Sequence, residues 1–265
     1  MRFTVKRMAG MMTLMFLATG CLCACGRLTG QGEGAVLEKD ALHVKNSVLG
    51  DSIQGISRNG EVFTADTLIS EVANDPVFGD YGRLIFPADA GYYSGDTLGH
   101  LSLTWYSNID PDKTVEIANY MKEHAEAGEA IFFDIYSAEE KADDPAKEDT
   151  GLFFFKGNPG EKFAVCNAGG GFAYVGAMHD SFPHALELSQ KGYHAFALIY
   201  RPGAQTACED LARAISFIFE HAEELEIDTD CYSLWGGSAG ARMAAYLGSY
   251  GPAAFGGEDL PVQAQ

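Results

Sequence analysis

Positive charge is scarce in this chain. Its 265 residues carry 18 Lys and Arg against 37 Asp and Glu, a formal net charge of −19. Such a field repels polyphosphates and argues against nucleic acid or another polyanion as partner. Metal-ligand spacing is missing as well: neither CxxC nor HxxxH accompanies Cys166, Cys208 and Cys231, so no metal site is expected. The triple-glycine run at 169–171 lacks GxGxxG spacing and has no P-loop lysine after it, which speaks against a nucleotide and leaves no cofactor implied. No internal repeat is present. One more absence bears on chemistry: no histidine follows Ser238 in the remaining 265 − 238 = 27 residues.

What is present concentrates around that serine. Cys231-Tyr232-Ser233-Leu234-Trp235 reads as a buried parallel strand after the polar turn Asp228-Thr229-Asp230, and Ala239 to Leu247 reads as a helix. Trp235-Gly236-Gly237-Ser238-Ala239-Gly240 lies between them, a GxSxG turn. Gly236 and Gly240 lack the Cβ atoms that would collide where strand and helix close on each other. Ser238 precedes the first helical turn, so orphan amides and the positive helix end face any anion formed at its hydroxyl. A second bend comes about 70 residues earlier. There the apolar strand Phe163-Ala164-Val165-Cys166-Asn167 runs into Ala168-Gly169-Gly170-Gly171-Phe172, whose glycines let backbone amides turn toward a cavity.

With both bends in place, Leu152 to Gly257 resembles the N-terminal half of an α/β-hydrolase catalytic domain, near the esterases and lipases whose oxyanion loop reads HGGG or PGGGY. Tyr200-Arg201-Pro202 after a strand and Glu209-Asp210-Leu211 opening a helix resemble that group too. Ala168 departs from it, standing where the group has His or Pro. The resemblance implies an α/β fold, a mostly parallel sheet flanked by helices and incomplete at its C-terminal side. It implies Ser238 as nucleophile of a serine esterase, with the amides of Gly170, Gly171 and Ala239 binding the oxyanion. Neutral esters, acetylated glycans among them, fit the charge.

The group's triad runs Ser, then Asp or Glu, then His. Glu258 and Asp259 follow Ser238 too closely, because the acid comes after further crossovers of a dozen or more residues each. They are expected to be solvated loop charges, with the acid and base beyond residue 265 and this fragment inactive. Of the seven histidines, His43, His100, His124, His179, His184, His194 and His221, His179 is nearest the glycine loop and is the one worth testing as base. The alternatives are a non-catalytic surface lipoprotein that keeps the hydrolase scaffold, or a peptidase of prolyl-oligopeptidase type. An incomplete sheet would leave the far edge of the Ser238 strand uncovered, so residues 1–265 are expected to express poorly alone.

The rest of the chain organises around this core. Residues 1–25 read as a bacterial export signal: Arg2, Lys6 and Arg7 precede an apolar run from Met8 to Leu17. Leu22-Cys23-Ala24-Cys25 resembles a lipobox, with Cys25 as the lipidated residue and Cys21 a poorer candidate. That places the protein outside the cell membrane, anchored to its outer face by lipid. Residues 26–60 read as a flexible tether. Residues 61–128 form a cap-like segment with a strand at Arg83–Phe86, a helix from Asp110-Pro111 to Gly128, and aromatics Tyr92, Tyr93, Trp105 and Tyr106.

In the catalytic segment 129–265, strands are expected at Ile131–Tyr136, Leu152–Phe155, Phe163–Asn167, His194–Tyr200 and Cys231–Trp235. An acidic loop spans Glu139–Asp149. Ser181 is the N-cap candidate of a helix stopped at Gly192. The next helix gathers Leu211, Ile215, Ile218, Ala222 and Leu225 on one face. Cys166 near one strand end and Cys231 at the start of a neighbouring parallel strand are several residues apart at about 3.3 Å each. A disulfide needs Cα atoms within about 7 Å, so none is expected.

Overall fold

The structure is a computed structural model describing residues 61–87, 92–103 and 109–260, with the backbone of 22–25. The remainder of the signal segment with Cys21, the tether with His43, and Trp105 and Tyr106 lie outside the described residues, as does the side chain of Cys25. In chain order the elements are β1 (Leu22–Cys25), α1 (Ile69–Ala73), β2 (Tyr93–Ser94), β3 (Ser102–Leu103), α2 (Pro111–Glu126), β4 (Phe132–Phe133), α3 (Ala138–Asp143) and β5 (Gly151–Phe155). Then follow β6 (Lys162–Asn167), α4 (Ser181–Gln190), β7 (His194–Ile199), α5 (Ala204–Glu220), β8 (Asp228–Gly236) and α6 (Ala239–Tyr250).

The main sheet has the order β1-β8-β6-β7-β5-β4. β6 runs parallel to β7 and β8, whereas β5 opposes both β7 and β4, and β1 opposes β8. Hence β4, β7, β6 and β8 point one way. The sheet is mostly parallel and flanked by helices, as expected. Every residue of β5 and β7 is buried, the pattern of strands covered on both faces. Helix punctuation follows the sequence: Asp110 caps α2 through the amides of Asp112 and Lys113, Pro111 takes its first position, and Gly192 ends α4 at φ 92°. Leu211, Ile215 and Ile218 of α5 are fully buried against the sheet.

Four expectations are corrected. Arg83–Phe86 is no strand; residues 76–85 form 3-10 turns, started by Pro76 and by Asp75 accepting from the Val77 amide at 3.1 Å, which bury Phe78, Leu84 and Ile85. Of Ile131–Tyr136 only Phe132–Phe133 joins the ladder. The acidic loop contains α3, because Ser137 and Glu140 form a reciprocal capping box. The far edge of β8 is paired: Leu22 to Cys25 lie opposite Leu234 to Cys231. An apolar extended segment satisfies the edge hydrogen bonds there. Along β6 and β8 the register sets Cys166 opposite Trp235, four positions from Cys231 (235 − 231).

The segment from Glu61 to Glu126 shares one hydrophobic core with the sheet. Tyr81 stacks on Phe132 at 5.0 Å, Tyr120 on Phe155 at 5.3 Å, and Phe153 meets Phe182 edge-on at 5.0 Å. Its later part also reaches the loop that follows the glycines. Tyr92 stacks on Tyr174 at 4.5 Å, and Arg83 and Phe86 share with Tyr174, Tyr200 and Pro202 a cleft of about 290 Å³.

Candidate active site

The two bends leave neighbouring, parallel strands at the same level, since Asn167 at the tip of β6 pairs with Gly236 at the tip of β8. Buried Asn167 ties the tips together: its Nδ2 donates to the Trp235 carbonyl at 3.0 Å, and its own carbonyl accepts from the Gly237 amide at 3.3 Å. The helix then closes hard on the strand. A Cβ on Gly236 would stand 2.3 Å from the Gly240 carbonyl carbon, and one on Gly240 would stand 1.9 Å from the Asn167 oxygen. Only glycine fits at either place. Between them Ser238 has φ 48° and ψ −110°, a conformation that L-residues rarely hold. The strain turns its side chain outward, and the residue is exposed.

The glycine loop comes up against this serine. A methyl group on Gly169 would lie 3.1 Å from Ser238 Cβ. Gly170 (φ 150°) passes so close to the Tyr174 carbonyl that a Cβ would approach it to 1.9 Å, whereas Gly171 (φ 64°) faces open space. Phe172 is also left-handed, at φ 61°. Such a run of unusual backbone needs outside support. Tyr200 supplies part of it by donating to the Ala168 carbonyl at 2.8 Å, and the Gly203 amide donates to the Phe172 carbonyl at 2.8 Å. Among the described residues, the amides of Gly170, Gly171 and Ala239 donate to no protein acceptor. They are the donors that the resemblance assigns to an oxyanion.

One residue of this site was missed at the sequence level. Asp180 precedes α4, at the position expected for its N-cap, yet its carboxylate does not cap that helix. It accepts instead from the Gly169 amide at 2.7 Å and stands over Gly237, where a Cβ would come within 2.6 Å of Oδ2. Burial raises its pKa above the usual value, against smaller lowering by the Gly169 hydrogen bond and by His184. Ser181, the expected N-cap, is the first helical residue. Asn167 was likewise legible only as a strand residue, and Tyr200 only as part of the Tyr200-Arg201-Pro202 resemblance, without its bond to the Ala168 carbonyl.

The histidines fall elsewhere. His179 packs against Gly176, its ring near where a Cβ would sit, and burial lowers its pKa to about 4, a poor value for a base at neutral pH. His184 is exposed, its ring 6.1 Å from that of Trp235. His100, His124 and His221 bond locally to Thr97, Glu129 and the Phe217 carbonyl, and His194 is buried at the start of β7. No histidine among the described residues is hydrogen-bonded to Ser238. Glu258 and Asp259 are exposed, and the Glu258 amide donates to Ser216 of α5. No group of three potential metal ligands occurs among the described residues.

Both bends fall inside one recognisable stretch. Residues 157–258 match the BD-FAE family model. BD-FAE is an esterase family of α/β-hydrolase type, and the match spans the glycine loop, Asp180 and the Ser238 turn. Among solved structures, the chain is similar to apo Thermogutta terrifontis esterase 2, with 26% identity over 37% of this chain and 40% of that one, TM-score 0.34. It is also similar to an acetyl ester-xyloside bifunctional hydrolase from Caldicellulosiruptor lactoaceticus, with 23% identity over 45% of this chain and 46% of that one, TM-score 0.41. The chain thus spans less than half the length of either. No curated protein matches it.

Proposed function

We propose that the protein is a serine-type carboxylic-ester hydrolase. The carrying observation is the strained Ser238 turn beside a glycine loop in which the Gly170 and Gly171 amides, with that of Ala239, have no protein acceptor among the described residues. Ser238 Oγ attacks the ester carbonyl and gives up its proton, the carbonyl oxygen becomes an oxyanion held by Gly170, Gly171 and Ala239, and its collapse breaks the ester C–O bond, the leaving oxygen taking up that proton to depart as alcohol. Water then cleaves the acyl-serine to the acid and free Ser238. Neutral acetylated carbohydrates are the proposed substrates, from the acidic surface and the resemblance of the GGG-aromatic loop. The proposed setting is the cell envelope, with Cys25 lipidated at the outer face of a membrane; the cleavage that exposes Cys25 removes Leu22 to Ala24 and with them the pairing along the far edge of β8.

A non-catalytic reading has one observation in its favour: no described histidine bonds Ser238. An oxyanion site without a triad still leaves about 10³ to 10⁴-fold acceleration. Incubation with p-nitrophenyl acetate, followed by intact-mass analysis, decides between the two. A +acetyl adduct on the wild type that disappears in Ser238→Ala supports the esterase; equal release of p-nitrophenol by both proteins, with no adduct, removes it.

A further inference from the structure

Below the bends Asn167 ties the two strand tips together; between the glycine loop and the Ser238 turn themselves stands the Asp180 side chain. Asp180 Oδ2 is 2.7 Å from the Gly169 nitrogen, 3.3 Å from where a Cβ on Gly169 would be, and 2.6 Å from where one on Gly237 would be. The carboxylate fills the wedge between the residue before the loop's oxyanion donors and the residue before the nucleophile. We propose that Asp180 is a positioning residue that sets the gap between the oxyanion loop and Ser238; this rests on the esterase reading above.

Three observations separate this role from ordinary helix capping. Asp180 occupies the N-cap position of α4 and leaves it unused, giving up a hydrogen bond usually worth about 1 kcal/mol. It is half-buried, and one amide with no hydrogen-bonded cation answers for that desolvation. It also consumes the Gly169 amide, leaving the next two glycines as donors. Its charge cannot be the useful property, because an anion beside a developing oxyanion opposes it. The shape and the accepted hydrogen bond remain, and both survive in asparagine.

The test therefore uses rescue. In the full chain, labelling of Ser238 by a fluorophosphonate is followed over probe concentration. Asp180→Ala is expected to lower the saturating labelling rate about tenfold or more, with the half-saturating concentration little changed, since small displacements of a donor are costly. Asp180→Asn is expected to stay within about threefold of wild type or exceed it. Gly237→Ala, which drives a methyl into Asp180, should slow labelling alone and add little in the Asp180→Ala background. Wild-type rates in Asp180→Ala, or an asparagine variant as slow as alanine, overturn the proposal. Should the wild type not label at all, the esterase reading fails by itself, and the Gly169 amide proton decides the brace. Held by a carboxylate it lies far downfield in a ¹⁵N–¹H spectrum and moves upfield in Asp180→Ala; a Gly169 signal that does not move refutes the contact.

Discussion

Asp210, fully buried in the second turn of α5, and Asp180, half-buried just before α4, are carboxylates that the fold treats oppositely. Asp210 is wholly buried and saturated: Arg201 reaches it through its amide at 2.7 Å and its guanidinium at 2.7 Å, and Tyr136 donates to it at 2.7 Å. Arg201 continues to Asp144 at 2.6 Å, so one cluster joins the ends of β7 and α3 to the first turns of α5. Asp180 has one amide and no such cluster. Where full burial is matched by partners, the carboxylate serves the scaffold; the half-buried carboxylate with a single amide stands beside the Ser238 turn.

Removing partners tests the first half of that contrast hardest. Asp210→Ala leaves buried Arg201 with Asp144 at its rim but no partner in the interior, and the expected loss is about 3 kcal/mol, a fall of about 8 °C in thermal midpoint by calorimetry. A fall under 2 °C would mean the cluster contributes little. Next comes the backbone contact under the serine. Gly240→Ala sets a methyl 1.9 Å from the Asn167 oxygen, and a cost of about 3 kcal/mol in urea unfolding is expected, with loss of Ser238 labelling. An unchanged midpoint would show that strand and helix are not so closely apposed.

Protonation gives a smaller effect. The folded pKa of His179 is lowered to about 4 by burial, below its unfolded value of about 6.5, so the unfolded chain binds the proton first. The stability contribution is present above pH 6.5 and is lost as pH falls toward 4. Allowing for solvent at its exposed edge, about 2 kcal/mol should go over that window, and less in His179→Gln. Urea midpoints at pH 7 and 4.5 give the comparison; identical slopes in both proteins would reject it.

Smallest is Asp180→Asn. For a carboxylate whose folded pKa is raised, stability is greatest below the unfolded pKa and is lost as pH rises through the folded one. At neutral pH the charge therefore opposes folding. Neutralising it should leave stability unchanged or raise it by up to about 1 kcal/mol, opposite in sign to Asp210→Ala. A clear destabilisation at pH 7 would erase the distinction between the two sites.

The fold was largely legible because long apolar strands and punctuated helices announce themselves locally. Asp110-Pro111, Gly192 and the Leu211-Ile215-Ile218 face behave as their spacing requires. Arg83–Phe86 misled because its four residues are apolar enough for a strand, while the turn started at Pro76 lies outside that window. Asp180 was hidden by Ser181, since either residue suits an N-cap and nothing nearby says that one of them will reach back 11 residues to Gly169.

By itself the sequence determined where the chain must bend sharply and where a serine would stand exposed, because glycine and strand-to-helix patterning act over a few residues. Only the tertiary structure decided what meets at those bends. It brought β6 and β8 into register, set the glycine loop against Ser238, and gave Asp180 to Gly169 and Asp210 to Arg201. Such contacts depend on sheet order and on the competition among partners for each buried polar group, and neither is written in any local window.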